Sequence, residues 1–165
     1  MEKTITNEPD GRRQHRSEQL LDCRARDLIL AAFPDTACPP GVWNEYQRGI
    51  ARGYFRTRRE WGAIPILALT PEERALSNTL AQGYGRGEAE CIALAETRGA
   101  DVLTDDRAAR RRALITGVEV SGTLGVLVTL LDAGAMKLGD ADRLLQQMTA
   151  AGYHSPVDTL RDLLG

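Results

Sequence analysis

The chain has 165 residues, of which 42% are hydrophobic and 27% are charged, and its formal net charge is −2. This length suits one domain with a buried core, and the small net charge excludes a molecule that attracts nucleic acid by its overall charge. The longest apolar run, residues 125–131, is too short to cross a bilayer, and residues 1–18 lack the apolar stretch of a secretory signal, so we expect a cytoplasmic protein that does not enter a membrane.

The first half of the chain alternates between short predicted strands and helices. Residues 1–18 are polar, charged and aperiodic, which predicts a disordered leader ahead of a domain over residues 19–165. The elements predicted next are a strand at 20–22, a helix at 24–33, a strand at 36–38, a helix at 41–59 and a strand at 63–69. Pro65 lies within the last of these strands and favours an edge position for it.

The second half continues the alternation. Thr70, Pro71 and Glu73 suit the N-cap, N1 and N3 positions of a helix that ends near the glycines after residue 82. The later predictions are a helix at 88–98, a strand at 101–104, a helix at 107–116, a strand at 118–120 and helices at 124–132, 140–151 and 157–164. Strands that alternate with helices indicate an α/β fold with a mostly parallel sheet of four to five strands, covered on both faces as three layers.

Cysteine and histidine usage argues against a zinc site or a disulfide framework. Cys23, Cys38 and Cys91 are odd in number and widely spaced, and His15 and His154 lie near opposite ends of the chain. We expect these cysteines to be small, buried or half-buried thiols.

Several acidic residues lie where a parallel sheet places its ligands, at the carboxyl ends of strands. Asp22 follows one predicted strand, Asp105 and Asp106 follow another, and Glu45 and Glu88 lie on early helical turns. Taken singly, each acid fits a structural role such as a helix N-cap or a surface position. Together, carboxylates from separate segments would form an oxygen-rich site for Mg²⁺ or Mn²⁺, which can activate water and neutralise charge on a phosphodiester.

Helix geometry separates Glu88 from Glu90. At about 100° per residue, Glu88 shares the inward stripe with Ile92 and Ala95, whereas Glu90 lies about 200° away from it. We therefore predict that Glu88 is a ligand and that Glu90 faces outward or sideways. The predicted catalytic residues are Asp22, Glu45, Glu88 and Asp106, and the predicted metal ligands are Asp22, Glu88, Asp105 and Asp106.

Three linked motifs resemble a known family. They are Gly-Glu-Ala-Glu-Cys-Ile-Ala-Leu-Ala at 87–95, Val-Leu-Thr-Asp-Asp-Arg-Ala-Ala-Arg at 102–110 and Gly-Val-Glu-Val-Ser-Gly-Thr-Leu-Gly-Val-Leu at 117–127. With the segment Pro39–Glu45, they are similar to the VapC-like branch of PIN-domain proteins, in the group marked by Gly-Glu-Ala-Glu and Asp-Asp-Arg-x-x-Arg. The resemblance implies the PIN fold, an acidic Mg²⁺ site, an RNA substrate, a homodimer and often a small antitoxin partner.

The start of the chain departs from that family, whose members open with a buried strand ending in an aspartate. Here the apolar run directly before Asp22 consists only of Leu20 and Leu21, which predicts a shortened or replaced first strand–helix unit. Two functions stay open. One is a metal-dependent endoribonuclease, the toxin of a toxin–antitoxin pair, and the other is a catalytically impaired PIN-like module that binds RNA or protein.

Arginines supply the predicted contacts to RNA. Arg48, Arg52 and Arg56 are spaced four apart, so on a helix they form one stripe that could hold phosphates beside the acidic pocket. Arg110 belongs to the same predicted group, although we expect it chiefly to tie down the turn formed by Asp105 and Asp106.

Overall fold

The computed structural model describes residues 3–5, 25–52 and 64–164. The strands in these ranges are β1 (Lys3–Ile5), β2 (Thr36–Ala37), β3 (Asp101–Leu103) and β4 (Val120–Ser121). The α-helices are α1 (Ala25–Ala32), α2 (Pro40–Ala51), α3 (Pro71–Leu80), α4 (Arg86–Arg98), α5 (Arg107–Thr116), α6 (Thr123–Asp132) and α7 (Leu138–Ala150). A 3₁₀ helix, Leu160–Leu163, lies near the end of the chain. No helix in the described ranges is long and apolar enough to cross a membrane.

The sheet is parallel and has the strand order β2-β1-β3-β4. The chain moves from β1 outward to β2 and then returns past β1 to β3 and β4, so its direction of progress reverses between β1 and β3. Such a reversal opens a crevice at the carboxyl ends of the two strands. The predicted α/β class is confirmed. The predicted three-layer covering and the count of four to five strands stay predictions, because the pairings involve only two or three residues each.

The position of β1 corrects the prediction for the amino terminus. Lys3–Ile5 pairs with β2 on one side and with β3 on the other, so a disordered leader over residues 1–18 is wrong for these three residues. A three-residue strand is too short to show a period of two, and its hydrogen-bond partners are distant in sequence. The predicted strand at 20–22 lies outside the described residues, as does the remainder of the predicted leader.

The segment after α2 adds a single bridge to the edge of the sheet. Cys38 pairs with Ile66 in parallel, the Cys38 amide donates to the Pro65 carbonyl at 3.0 Å, and the Leu67 amide donates to the Cys38 carbonyl at 2.9 Å. Pro65 has no amide proton, which limits further pairing. The described part of the strand predicted at 63–69 is therefore a bridge at the edge beside Cys38.

The helix boundaries follow local chemistry. Thr70 and Glu73 form the predicted capping box, with amide-to-side-chain distances of 3.2 and 2.7 Å. α4 and α5 end at Gly99 and Gly117, whose φ values of 65° and 73° are left-handed conformations that favour glycine. α2 ends at Ala51, short of the predicted residue 59, and residues 53–63 lie outside the described part of the chain.

Helix α4 lies at the centre of the core. It packs against α2 on one side and α3 on the other, and every residue from 87 to 95 is buried. Cys38 and Cys91 lie in the same buried cluster as Val42 and Leu103, so two of the predicted small buried thiols are confirmed, and Cys23 lies outside the described residues. Burial raises the pKa of the Cys38 thiol to about 11.

Candidate functional site

The crevice between β1 and β3 is bordered by the turn that follows β3. Ile5 lies beside Leu103, so both strands end at the same edge of the sheet. Thr104, which is 4% exposed, accepts the Asp106 amide on its hydroxyl at 3.0 Å and thereby fixes the turn. Asp106 is the N-cap of α5, and its Oδ1 accepts the Ala109 amide at 2.6 Å. Asp106 therefore has the structural role of a helix N-cap, and it also lies at the edge of the sheet where the metal site is predicted.

Glu88 is the most perturbed carboxyl group at this edge. It lies in the first turn of α4, is 5% exposed, and accepts the Gly85 amide on Oε2 at 3.2 Å. Its other oxygen, Oε1, is buried and has no hydrogen-bond partner in the described structure. Burial, with repulsion from Asp106 and Glu45, raises the pKa of Glu88 to about 7. An unpaired buried acceptor is costly, so this oxygen favours a proton or a cation.

Glu45, on α2, lies near Glu88, and we call the region around Glu45, Glu88 and Asp106 the acidic pocket. Its Oε1 accepts the Gly87 amide at 3.0 Å. Burial raises its pKa, the Gly87 hydrogen bond and Arg48 lower it, and Glu90 raises it. Glu45 and Asp106 are both near enough to Glu88 to raise its pKa, so these three predicted residues lie in the same region of the structure. For Glu45, as for Glu88, burial contributes more to the raised pKa than repulsion between carboxylates does.

The prediction for Glu90 is wrong. It is 4% exposed, and its Oε2 accepts the Gly41 amide at 2.6 Å while its Oε1 accepts Nε of Arg86 at 3.1 Å. Periodicity along one helix predicts a single buried face, but α4 is enclosed by α2 and α3, so its polar residues are buried as well. One feature of the sequence does point to a buried acceptor such as Glu90. Pro39 and Pro40, at the start of α2, have no side chain that can accept a hydrogen bond, so the amides of this helix end need an acceptor from elsewhere.

Asp105 is held by a different set of partners. Its carboxylate accepts the amide of Thr123 at 3.0 Å and the hydroxyl of the same residue, at the start of α6. Arg110 lies 3.7 Å from it, which is the tie expected for this arginine. Both oxygens of Asp105 already have donors, and a Cβ added at Gly122 would collide with this cluster. Its role as a metal ligand stays a prediction.

Of the other predicted site residues, the structure describes some and not others. Arg48 is exposed on the carboxyl-terminal half of α2, and Arg52 is exposed directly after the end of this helix. Arg48 is near enough to Glu45 to lower its pKa. Arg56 and Asp22 lie outside the described residues. The arginine stripe, and Asp22 as the first acidic ligand, stay predictions.

The donor chemistry of the pocket fits a hard divalent cation, since it offers carboxylate oxygens and the unpaired Oε1 of Glu88. Within the described ranges, however, no three acidic, histidine or cysteine side chains are grouped so that they could hold a metal ion by themselves. A complete site would need a further ligand in addition to Glu88 and Asp106.

A known protein family matches most of the chain. The sequence model of DUF3368, a PIN domain, matches residues 19–165. The matched range begins after β1 and includes Glu45, Glu88, Asp105 and Asp106. No curated protein matches the chain.

Proposed function

Because the chain belongs to the PIN-domain family, whose members are generally nucleases that use divalent metal ions, we propose that it is a metal-dependent endoribonuclease. We place it in the VapC-like branch, as the toxin of a toxin–antitoxin pair. The observation that carries the proposal is the buried, unpaired Oε1 of Glu88 beside Asp106. The test is whether the purified protein cuts RNA internally when Mg²⁺ or Mn²⁺ is present.

The side chains of the pocket have separable tasks. Glu88 and Asp106 would hold Mg²⁺ or Mn²⁺, which when bound activates water and neutralises charge on the phosphodiester. Backbone amides fix one oxygen each of Glu45 and Asp106, so these carboxylates need little reorganisation on binding. Glu88 must be ionised to serve as a ligand, and its raised pKa makes cation binding compete with a proton near neutral pH.

The sheet supports the same proposal. The bridge between Cys38 and Ile66 adds a fifth strand-like segment outside β2. The order is then segment 64–69, β2, β1, β3 and β4, with the crevice between β1 and β3. We propose that this is the three-layer PIN arrangement, with the acidic pocket at its switch point.

A second function is a PIN-like module that binds RNA or protein without cutting RNA. It is favoured by the incomplete ligand group within the described ranges. The two functions differ in one property, which is whether the pocket binds a divalent cation tightly enough to position it. Metal binding without RNA cleavage would favour the impaired module.

The first acidic ligand can be identified by paired variants. We expect Asp22→Asn to weaken Mn²⁺ binding by about tenfold or more, because even the loss of a residue that only orients a ligand has an effect of this size. Glu8→Gln is the comparison, because β1 ends at the edge that carries Asp106 and Glu8 follows β1 in the sequence. Isothermal titration calorimetry measures the Mn²⁺ affinity of both variants. A larger loss for Glu8→Gln would contradict the assignment of Asp22 and move the ligand to the segment after β1.

Arg52 supplies a test of RNA contact. Charge reversal in Arg52→Glu should weaken binding to single-stranded RNA and reduce the slope of affinity against salt by about 1. Arg143→Glu on α7 is the control, since Arg143 is equally charged and exposed and is paired with Asp140. Fluorescence anisotropy at several salt concentrations measures the effect. Equal losses for the two variants would show that the proposed stripe has no special role.

We also propose a homodimer and a small antitoxin as partners. The support is an apolar pair at the end of α5, where Leu114 and Ile115 are 81% and 78% exposed. Contiguous apolar patches on a protein surface mark interaction sites, and we propose that these two adjacent side chains belong to such a patch.

A further inference from the structure

The amino-terminal ends of α2 and α4 meet beside the acidic pocket. α2 is preceded by Pro39 and α4 by Gly85, and neither residue has a side chain that can accept a hydrogen bond. The amides of a first helical turn have no partner within their own helix, so buried helix ends need acceptors from elsewhere. In this fold each helix receives an acceptor from the other.

The exchange is reciprocal. The Gly41 amide in the first turn of α2 donates to Oε2 of Glu90 on α4 at 2.6 Å. The Gly87 amide in the first turn of α4 donates to Oε1 of Glu45 on α2 at 3.0 Å. We call these four residues the clasp. Negative charge at a helix amino terminus also interacts favourably with the helix dipole, so both carboxylates stabilise the ends that they bind.

Glycine is required at both donor positions by the closeness of the helices. A Cβ at Gly41 would lie 2.8 Å from Oε2 of Glu90 and 3.1 Å from Cα of Gly87. A Cβ at Gly87 would lie 2.7 Å from Oε2 of Glu45. Any side chain would therefore push a carboxylate out of the clasp or separate the helix ends.

The clasp determines where two pocket residues lie. Glu45 is a member of it, and Glu88 directly follows the member Gly87. We propose that Glu90, through Gly41, is a positioning residue that fixes the first turn of α4 against α2 and thereby holds the metal ligand Glu88 beside Glu45. The inference rests on the proposed function, since what the clasp positions is the proposed metal site. Glu90 itself is not a ligand in this scheme, because both of its oxygens are bound to Gly41 and Arg86.

Three variants change the clasp in different ways. Glu90→Ala removes the acceptor, and Gly41→Ala displaces it without changing any acid. Glu90→Gln keeps a carbonyl oxygen for Gly41 and loses the negative charge, together with the ion pair to Arg86, whose side chain is 72% exposed. The matched control is Glu73→Ala on α3. Glu73 is also buried, at 3% exposure, and accepts a backbone amide and an arginine Nε at 2.7 Å each, but it belongs to the box at Thr70.

Two measurements read the result. Isothermal titration with Mn²⁺ on the full chain should show affinity reduced by about tenfold or more in Glu90→Ala and Gly41→Ala, and mostly retained in Glu90→Gln. Glu73→Ala should lower the melting temperature and leave the Mn²⁺ affinity of the folded protein unchanged. Amide hydrogen exchange in Glu90→Ala should speed up at Gly87 as well as at Gly41, because the two bonds hold one contact.

The outcomes separate the clasp from the proposed function. Wild-type Mn²⁺ affinity in folded Glu90→Ala would overturn the positioning role alone, as would equal losses of affinity in Glu90→Ala and Glu73→Ala. A Glu90→Gln variant as impaired as Glu90→Ala would show that the charge of Glu90 acts directly, and would also overturn the inference. A wild-type protein that binds no Mn²⁺ would overturn the proposed function together with the positioning role.

Discussion

Asp106→Asn should lower metal-dependent RNA cleavage by roughly a hundredfold or more while leaving the protein folded. Asparagine keeps the size of aspartate and is an equally good N-cap, so the bond to the Ala109 amide can persist. What is lost is one negative charge beside Glu88. The separation of activity from stability follows from this difference, and single-turnover cleavage with a melting curve measures both.

The control for this variant is Asp132→Asn, at an exposed position at the end of α6. This variant also removes one negative charge, but at a position that is distant in sequence from Glu88 and Asp106, so it should leave cleavage unchanged. A purely structural role for Asp106 predicts the reverse pattern, in which Asp106→Asn retains its activity and Asp106→Ala loses about 1 kcal/mol of stability. That pattern would remove Asp106 from the proposed site.

Glu88→Gln should make the metal-free protein more stable at alkaline pH. The pKa of Glu88 is about 7 in the folded protein and near 4.5 in its ordinary state. Between these values the folded chain binds more protons than the unfolded chain, so stability falls as pH rises and stays low above the folded pKa. The neutral glutamine avoids that loss, which is on the order of 3 kcal/mol.

Urea unfolding without metal at about pH 8 and about pH 4 measures this effect, since the gap should be present at the higher pH and absent at the lower one. Mn²⁺ should then narrow the gap at high pH, because a cation stabilises the ionised Glu88 of the wild type and does little for glutamine. A Glu88→Gln variant that is less stable than wild type at high pH would contradict an unpaired, desolvated carboxylate at this position.

Local signals in the sequence were sufficient for much of the fold. The box at Thr70 and Glu73 marked the start of α3, and Gly99 and Gly117 marked the ends of α4 and α5. These features depend on residues within one turn of each other, which is the range that a sequence shows directly. The alternation of strands and helices gave the α/β class for the same reason.

Non-local contacts account for what was missed. β1 is three residues long and is defined by its neighbours β2 and β3, which lie far along the chain. Glu90 is buried because α4 is enclosed on both sides, a property of the assembled fold that periodicity along one helix does not contain. In the same way, Asp105 is engaged by Thr123 only once α6 packs beside the turn.

For the pocket, the sequence indicated which acids converge but not how each is used. The positions of Glu45, Glu88 and Asp106 at strand ends and early turns predict that they converge, and both Glu45 and Asp106 do raise the pKa of Glu88. Their individual hydrogen bonds depend on which amides remain unpaired after packing. Only the structure shows that, among the residues it describes, Glu88 is the one that keeps a buried side-chain oxygen without a hydrogen-bond partner.

The proposed function is RNA cleavage that depends on a divalent cation held by Glu88 and Asp106. Its most direct test is incubation of purified protein with a long single-stranded RNA labelled at one end, with Mg²⁺, with Mn²⁺ and with excess EDTA. We expect internal cleavage products with either metal, no products with EDTA, and none from the Glu88→Gln, Asp106→Asn double variant. Wild-type protein that leaves the RNA intact with both metals, or cuts it equally well in EDTA or as the double variant, would contradict the claim.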